Sequence, residues 1–279
     1  MSLFALSIVL FSALLHAGWN AMLKVVDDRA AVLGAVSAVH VLSGVVLILL
    51  SPLPDRSSWL PIFISTVVHY GYYLLLFRAY RHGDLSQVYP ISRGMAPALV
   101  ALSAYFVLGE NLGPAGWVGL AAVSLGICLL AMQKGIVNAH PTTIWLAVAL
   151  GLCIATYSFA DGIGIRNSGA PTGYMGWLFL LEAPVPLAIA WNRRRNGGVF
   201  ETRVILAGLL GGVCAVSAYG MVLYVKTIAP LGAVSAVRES SVIIAALIGV
   251  VFFHERPWRV RLVAAAIVAA GVVGLALSS

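Results

Sequence analysis

Charge is what this sequence lacks most. Only 10% of its 279 residues are charged, whereas 61% are hydrophobic, and the mean hydropathy is +0.98. Soluble domains carry about 25% charged residues, so this chain cannot cover a water-facing globule with polar side chains. The net charge of +7 does not indicate nucleic-acid binding, because the basic residues form short clusters between apolar runs instead of a stripe on a polar surface. The composition predicts a protein whose main solvent is lipid.

Paired cysteines and enzyme motifs are also missing. Cys128, Cys153 and Cys214 lie inside apolar segments without paired spacing, which favours neither a disulfide nor a metal site. The sequence has no zinc-protease His-Glu-x-x-His, no nucleophile-elbow Gly-x-Ser-x-Gly and no phosphate-binding Gly-x-x-x-x-Gly-Lys. These absences argue against an enzyme and an ATP-driven pump, and we expect no cofactor.

Long apolar runs are what the sequence does contain. A helix needs about 20 apolar residues to cross the hydrocarbon core, and ten segments meet this length or nearly do. We therefore predict an all-α polytopic membrane protein with ten transmembrane helices. The segments are Leu3–Leu23, Ala31–Leu50, Trp59–Phe77, Leu85–Leu108, Pro114–Met132, Thr143–Ile163, Thr172–Trp191, Val204–Val225, Leu231–Phe253 and Val260–Leu277.

The two halves of the chain repeat each other. Several residues recur at one constant shift of 145 positions, and the connection at 133–142 divides the chain into five-helix repeats at 1–134 and 143–279. Because each repeat has an odd number of helices, the second enters the membrane from the opposite side, which is the inverted repeat of many secondary transporters. The matched pairs are Arg93 with Arg238, Glu110 with Glu255, and Gly126 with Gly271.

The basic residues are distributed unevenly between the two sides. Twelve of the 17 lysines and arginines follow odd-numbered segments, and only Arg56, Arg166 and Lys226 follow even-numbered ones. Since cytoplasmic loops of membrane proteins are enriched in lysine and arginine, we expect the odd-numbered loops in the cytoplasm, both termini outside, and a location in the inner (cytoplasmic) membrane.

Arg93 and Arg238 are the two basic residues left inside apolar segments. Burying charge at membrane depth is costly, so such residues are candidates for a functional site. A guanidinium group there offers a bidentate grip on a carboxylate or phosphate. The structural alternative is that Arg238 pairs with Glu239 or a carbonyl group, and that Arg93 caps a broken helix.

The segment around Arg93 contains Tyr89, Pro90 and Pro97. Prolines remove backbone hydrogen bonds, and interrupted membrane helices expose amides and carbonyl groups that bind ligands. We therefore predict a helix break at Pro90 and Pro97. The matching run at 235–241 has no proline, so we expect more substrate contact in the first half.

Two further sets of polar residues interrupt apolar segments. His16 and Asn20 share one face of the first segment, bordered by Trp19, which indicates either a cavity lining or an interhelical hydrogen-bond lock. Glu182 lies in the seventh segment without a basic neighbour in the sequence. A carboxyl group removed from water holds its proton more readily, so Glu182 or His16 is a candidate proton carrier.

The turn Leu108-Gly109-Glu110, its partner Phe253-His254-Glu255, the glycine-bearing segments after each, and the stretch His16–Asn20 resemble sequences of the drug/metabolite transporter superfamily, in particular its ten-helix EamA family. The resemblance covers essentially the whole chain. It implies a proton-coupled or exchange transporter with a central cavity between two inverted halves.

These observations together predict a secondary transporter that moves a small polar metabolite with an anionic group by alternating access. An exporter of cationic or aromatic compounds is an alternative, and a membrane enzyme acting on lipid-linked precursors is a more distant one. The expected partners are the small-molecule substrate, the lipid bilayer and coupling protons, with no metal and no nucleic acid, in a monomer or homodimer. The expected substrate-binding residues are Arg93, Arg238, Tyr89, Trp19 and Asn20.

Overall fold

The computed structural model describes residues 1–23, 26, 28–82, 85–132, 140–251 and 258–277. Within those ranges, the side chains of residues 20–23, 77, 80–82, 85–87, 89, 90, 131, 132, 245, 246, 249 and 250 are outside the description. The sequence-predicted residues Asn20, Tyr89 and Pro90 are therefore placed by their backbone only, and His254 and Glu255 lie outside the described residues.

The described chain is all α-helical, with one short 3-10 turn at Arg56–Ser58. Eight of its spans are long and apolar enough to cross a membrane by themselves, and Leu3–Trp19 is a shorter apolar helix. The helices are α1 (Leu3–Leu23), α2 (Arg29–Leu50), α3 (Trp59–His82), α4 (Leu85–Leu108), α5 (Gly113–Met132), α6 (Pro141–Arg166), α7 (Pro171–Glu182), α8 (Pro184–Arg195), α9 (Thr202–Lys226), α10 (Leu231–Arg238), α11 (Ser240–Val251) and α12 (Trp258–Leu277).

Two of the ten predicted crossings are built from two helices each. Helices α7 and α8 meet at Ala183 and form the seventh crossing, and α10 and α11 meet at Glu239 and form the ninth. The fold class predicted from the sequence, an all-α polytopic membrane protein, is thereby confirmed. We call the end of the bundle that carries the connections after even-numbered crossings the even-loop face.

Helix α4 corrects one prediction. It runs without interruption from Leu85 to Leu108, so the break expected at Pro90 and Pro97 is not observed. A proline removes a single backbone donor, and in membrane helices neighbouring elements commonly re-satisfy the freed groups. Here α4 packs against α5, α6 and α10, and that support on several sides holds the helix together.

The contacts between helices obey a pseudo-two-fold symmetry that relates the two halves. A Cβ atom placed on Gly126 of α5 would lie 3.0 Å from Ala264 O of α12, and one placed on Gly271 of α12 would lie 2.6 Å from Gly119 O of α5. The shift of 145 converts the first contact into the second. These glycines let the backbones of α5 and α12 touch, since any side chain would hold them apart.

The other helix–helix contacts obey the same pseudo-two-fold symmetry. Helix α1 packs on α9 and α11, and its counterpart α6 packs on the corresponding helices α3 and α4. Helix α2 packs on its own counterpart α7, and α4 packs on α10. Each half therefore buries its apolar faces largely against the other half, and the centre of the molecule lies where α1, α3, α4, α6, α7, α9 and α10 converge.

Candidate functional site

A cluster of buried ionisable side chains occupies this centre. Each charged member is at most 9% exposed, although burial of charge is costly unless opposite charges and hydrogen bonds compensate it. The positive and negative members balance among the described residues, which keeps the net buried charge low. The basic members are Arg93, Arg238 and Lys226, and the acidic members are Asp161, Glu182 and Glu239.

Arg93 on α4 joins both halves of the molecule. Its Nε lies 3.1 Å from Glu239 Oε2 at the break of the ninth crossing, and its Nη2 lies 3.1 Å from His16 Nε2 on α1. Trp19 Nε1 is 3.4 Å from His16 Nδ1. Because a neutral imidazole accepts at one nitrogen only, the shorter contact to Arg93 is the hydrogen bond, and Trp19 packs against the ring edge-on.

Arg238 ends helix α10 and lies over an aromatic ring. Its guanidinium carbon is 5.1 Å from the centroid of Tyr219 on α9, a cation–π distance. Its sequence neighbour Glu239 forms its ion pair with Arg93 across the bundle. The two arginines related by the repeat are therefore buried in the same region but have different partners.

Glu182 marks the break of the seventh crossing. Helix α7 ends at Glu182 and α8 begins at Pro184, because a proline cannot donate to the preceding turn. The Tyr70 hydroxyl donates to the carbonyl of Leu181 at 2.5 Å and so satisfies one group beside the break. Glu182 Oε1 lies 3.2 Å from His69 Nδ1.

His69 connects Glu182 to a cluster of aromatic rings. Its Nδ1 is 2.9 Å from the Ser65 carbonyl oxygen, so that carbonyl is the nearer acceptor for an Nδ1 proton. The imidazole stacks on Tyr157 of α6 with ring centroids 4.0 Å apart. Tyr157 in turn meets Tyr219 edge-on at 6.3 Å, which brings the same aromatic cluster to Arg238.

Asp161 lies on the other side of Tyr219. Its carboxylate accepts hydrogen bonds from the Tyr174 hydroxyl at 3.0 Å and from the Tyr219 hydroxyl. Lys226 is completely buried and donates from Nζ to the Ser158 carbonyl at 2.8 Å. The sequence placed Lys226 in an even-numbered loop, and the structure corrects that placement, because the last turn of α9 packs inside the bundle.

The structure adds residues that the sequence did not single out for a site. Glu239 appeared in the sequence only as a possible partner of Arg238, and Lys226 only as a loop residue. Glu239 carried a usable signal, since it is a carboxylate inside a long apolar run next to Arg238. Lys226 carried no such signal, because a basic residue at the end of an apolar segment is usually interpreted as an interfacial anchor.

The space around the cluster is small. A cavity of about 10 Å³ beside Ser92 and Arg93 is at the lower limit for a single water molecule. A larger groove of about 550 Å³ opens between α2, α8 and α9, with Arg194 among otherwise apolar residues. That groove lies at the side of the bundle and contains none of the central charges, so we assign the site to the cluster.

The even-loop face is closed by a polar latch. Glu110 accepts from Arg166 Nη1 at 2.5 Å and from the backbone N–H of Leu231 at 2.7 Å. Arg166 also donates to the carbonyl oxygens of Lys226 and Ala229, at 2.7 and 2.8 Å. These contacts tie the α4–α5 turn to the α6 end and to the first residue of α10.

A bundle of apolar crossings in two halves related by a pseudo-two-fold axis, with charge buried where the halves meet, is the architecture of a polytopic membrane protein. The EamA-like transporter family matches residues 3–132 and 141–277. The chain belongs to this family, and each of the two matches covers one five-helix half.

Two curated relatives match part of the chain. The chain is 33% identical over 82 residues to an uncharacterized transporter in the cobO 3' region of Sinorhizobium sp, a match that spans 29% of this chain and 57% of the relative. It is 36% identical over 72 residues to the uncharacterized protein y4nH of Sinorhizobium fredii, spanning 25% and 62%. The chain thus covers less than two thirds of these curated relatives.

A solved crystal structure has the same fold. It superposes with a TM-score of 0.79 at 17% sequence identity and covers 99% of this chain and 98% of its own. At this identity the likeness concerns the fold alone.

Proposed function

We propose that this protein is a secondary transporter of the cytoplasmic membrane that moves a small polar metabolite with an anionic group by alternating access. One observation carries the proposal: two arginines, one from each half, are buried at the centre of the described bundle. A scaffold gains nothing from the cost of burying such charges, whereas a carrier uses them to replace the water around an anionic substrate.

The state of the even-loop face supports alternating access. The Glu110–Arg166 latch closes that face, and the cavity beside Arg93 holds no more than about one water molecule. From the even-loop face, a substrate therefore reaches the cluster only after these contacts rearrange. The pseudo-two-fold packing provides two related arrangements, each with one face closed, as inverted-repeat carriers use.

The contact of Glu182 with His69 supports coupling to protons. The buried Glu182 carboxyl group lies 3.2 Å from His69 Nδ1, so a proton can move between them when the Nδ1 proton turns from the Ser65 carbonyl oxygen to Glu182 Oε1. The pair touches the aromatic cluster at Tyr157, and Tyr157 leads to the arginine-bearing region. His16, which contacts Arg93, is the second candidate proton carrier, and substrate exchange without protons is the competing coupling mode.

Export of cationic or aromatic compounds is the second candidate function. The stacked and edge-on rings of His69, Tyr157, Tyr219 and Phe179 favour it, because aromatic faces bind organic cations and flat ring systems. In that case Glu182 binds the substrate, and Arg93 serves only to neutralise Glu239.

A thermal-stability screen of the purified protein tests the proposal. The panel contains organic acids, phosphonates, amino acids and amines. A ligand at 100 times its Kd stabilises the folded state by about 2.7 kcal/mol, which a melting curve detects. We expect anionic compounds to stabilise the wild-type protein and Arg93→Ala to lose this response, while the exposed control Arg195→Ala retains it.

The opposite result identifies the second candidate. Stabilisation by amines or aromatic compounds alone, unchanged in Arg93→Ala, contradicts the anionic preference and moves the binding role to Glu182. If Arg93→Ala unfolds, Arg93→Lys keeps the positive charge but loses the planar fork, and reduced anion binding by this variant still tests the assignment.

A further inference from the structure

The break of the ninth crossing contains two buried hydroxyl groups without a hydrogen-bond partner. Within the described part of the chain, Ser240 Oγ and Ser241 Oγ have no hydrogen-bond partner, and Glu239 Oε2 has its ion pair with Arg93. Both serines are at most 5% exposed. Native proteins satisfy the great majority of their buried polar groups, so two adjacent exceptions beside a buried ion pair call for an explanation.

The same position is the N-terminus of a helix. Helix α11 begins at Ser240 and is 12 residues long, and the first turn of a helix presents N–H groups and a partial positive charge. Val242 N donates to the Glu239 carbonyl oxygen at 2.9 Å and so fixes the start of the turn. Two hydroxyl donors and a helix N-terminus form a set of groups suited to an anion.

A basic side chain faces this helix start and already holds a carboxylate. Arg93 Nε lies 3.1 Å from Glu239 Oε2, with the side chains of both residues at most 5% exposed. The negative group that Arg93 contacts in this conformation is thus supplied by the protein itself. An anionic substrate at Arg93 must compete with it.

We propose that the α10–α11 break is the subsite for a carboxylate group of the substrate, and that Glu239 is a built-in competitor for that subsite. In the empty carrier Glu239 neutralises Arg93. An incoming carboxylate displaces Glu239, contacts Arg93, and accepts hydrogen bonds from Ser240 and Ser241. This inference rests on the proposed transport function and adds the substrate's chemical group and the residues that bind it.

Charge favours a carboxylate over a phosphate at this subsite. The exchange of one carboxylate for another keeps a single negative charge on Arg93, so that no uncompensated arginine is buried at any stage. A phosphate brings additional negative charge, and Arg238, the other arginine beside the break, is already needed by the displaced Glu239 side chain. The displaced Glu239 side chain also needs a cation, and Arg238 is its neighbour along the chain.

The competitor role predicts an effect opposite to that of an ordinary ion pair. If Glu239 only supports Arg93 structurally, Glu239→Gln disturbs Arg93 and weakens anion binding. If Glu239 competes, the same variant removes the competitor. We expect Glu239→Gln to lower the Kd for a carboxylate probe about tenfold, which corresponds to about 1.4 kcal/mol.

The two serines make a second prediction, in which the melting temperature and the Kd both rise. Removing a buried hydroxyl that has no partner relieves a desolvation cost, so Ser240→Ala and Ser241→Ala should raise the melting temperature of the ligand-free protein. The same substitutions remove donors to the carboxylate, so the double variant should raise the Kd at least tenfold. A purely structural role for the hydroxyls does not produce this combination.

The experiment is a titration of the purified full-length protein with sodium lactate and sodium benzoate, with sodium phosphate and benzylamine as probes of other chemistry. Binding is read by calorimetry and by melting temperature. Glu201→Gln, at an exposed position, and Ser7→Ala, on the exposed face of α1, are the matched controls, and both should bind as the wild-type protein does. If carboxylates bind the wild-type protein too weakly to measure, Glu239→Gln should still bind them.

The outcomes separate this inference from the proposed function. Equal or weaker carboxylate binding by Glu239→Gln, or unchanged binding by the serine double variant, overturns the inference, while loss of binding in Arg93→Ala still supports an anion carrier. Phosphate bound more tightly than either carboxylate also overturns it. Binding of benzylamine alone, insensitive to Arg93→Ala, contradicts the proposed function itself.

Discussion

At the scale of single residues, charged side chains of one half form ion pairs with side chains of the other half. Arg93 of the first half meets Glu239 of the second, and Glu110 of the first half meets Arg166 of the second. Each such contact needs both halves in place before either charge is compensated. Removing one partner leaves the other charge poorly solvated, which costs more than the pair itself contributes.

Glu110 offers the clearest test of this pairing. Glu110→Ala removes both the ion pair with Arg166 and the acceptor for the Leu231 N–H at the start of α10. We expect the free energy of unfolding to fall by about 2 kcal/mol, because Arg166 keeps only its two carbonyl acceptors. The measurement is the melting temperature of the purified protein in detergent.

Two further variants separate the parts of this effect. Glu110→Gln keeps an oxygen that can accept from Leu231 N–H but loses the charge, so it should be destabilised by less than Glu110→Ala. Glu201→Ala, at an exposed position before α9, should leave the melting temperature nearly unchanged. A Glu110→Ala variant as stable as the wild type would show that the latch contributes nothing to the fold.

At the scale of helices, the positions of the prolines do not by themselves predict where a crossing breaks. Helix α4 contains two prolines and is continuous, whereas the ninth crossing contains none and is broken at Glu239. The break at Glu182 does follow the local rule, since Pro184 begins the next helix. Breaks depend on which neighbours satisfy the freed backbone groups, and that information lies in the packing of the helices.

The close contact of α5 with α12 makes a prediction for its glycines. Gly119→Ala introduces a Cβ atom about 2.7 Å from Gly271 O and 2.9 Å from Leu275 N. Both neighbours are backbone atoms, so the helices must move apart to admit the methyl group. We expect a loss of about 2 kcal/mol of stability from overpacking, read as a lower melting temperature.

A second glycine serves as the matched control. Gly71 of α3 has no atom within 4 Å of its ideal Cβ position, so Gly71→Ala should gain about 0.5 to 1 kcal/mol from helix propensity. Equal effects of Gly71→Ala and Gly119→Ala would contradict the close approach of α5 and α12.

At the scale of the whole molecule, the two halves form one core. Helix α1 packs on α9, α6 packs on α3 and α4, and α5 packs on α12. The repeat therefore provides two halves, related by a pseudo-two-fold axis, that share one interface. The charges that break the symmetry, Glu182 and Glu239 above all, have no acidic counterpart at the shift of 145.

The orientation of the molecule is predicted from the charge distribution alone. With the odd-numbered loops in the cytoplasm, a cysteine at Ser57 on the even-loop face should react with a membrane-impermeant maleimide in intact cells. A cysteine at Asn196, next to the Arg193–Arg195 cluster, should react only after the membrane is opened. Both positions are exposed, and the wild-type protein gives the background from its own three cysteines. The reverse pattern would invert the assignment.

The sequence by itself determined the fold class. Ten apolar runs of membrane-spanning length, a repeat at a constant shift and the scarcity of charge left an all-α membrane bundle as the architecture, because lipid forces each crossing to satisfy its own backbone. The sequence also pointed to Arg93, Arg238, Glu182 and His16, since an isolated polar residue in an apolar run is visible without any structure.

Only the tertiary structure decided which of these charges meet. It paired Arg93 with Glu239 and His16, brought Glu182 to His69, and buried Lys226 against Ser158. Partners 68 or more residues apart, as all of these are, leave no local periodicity in the chain. Their contacts arise from the crossing of helices in two interlocked halves, and the physics of buried charge then selects the pairs.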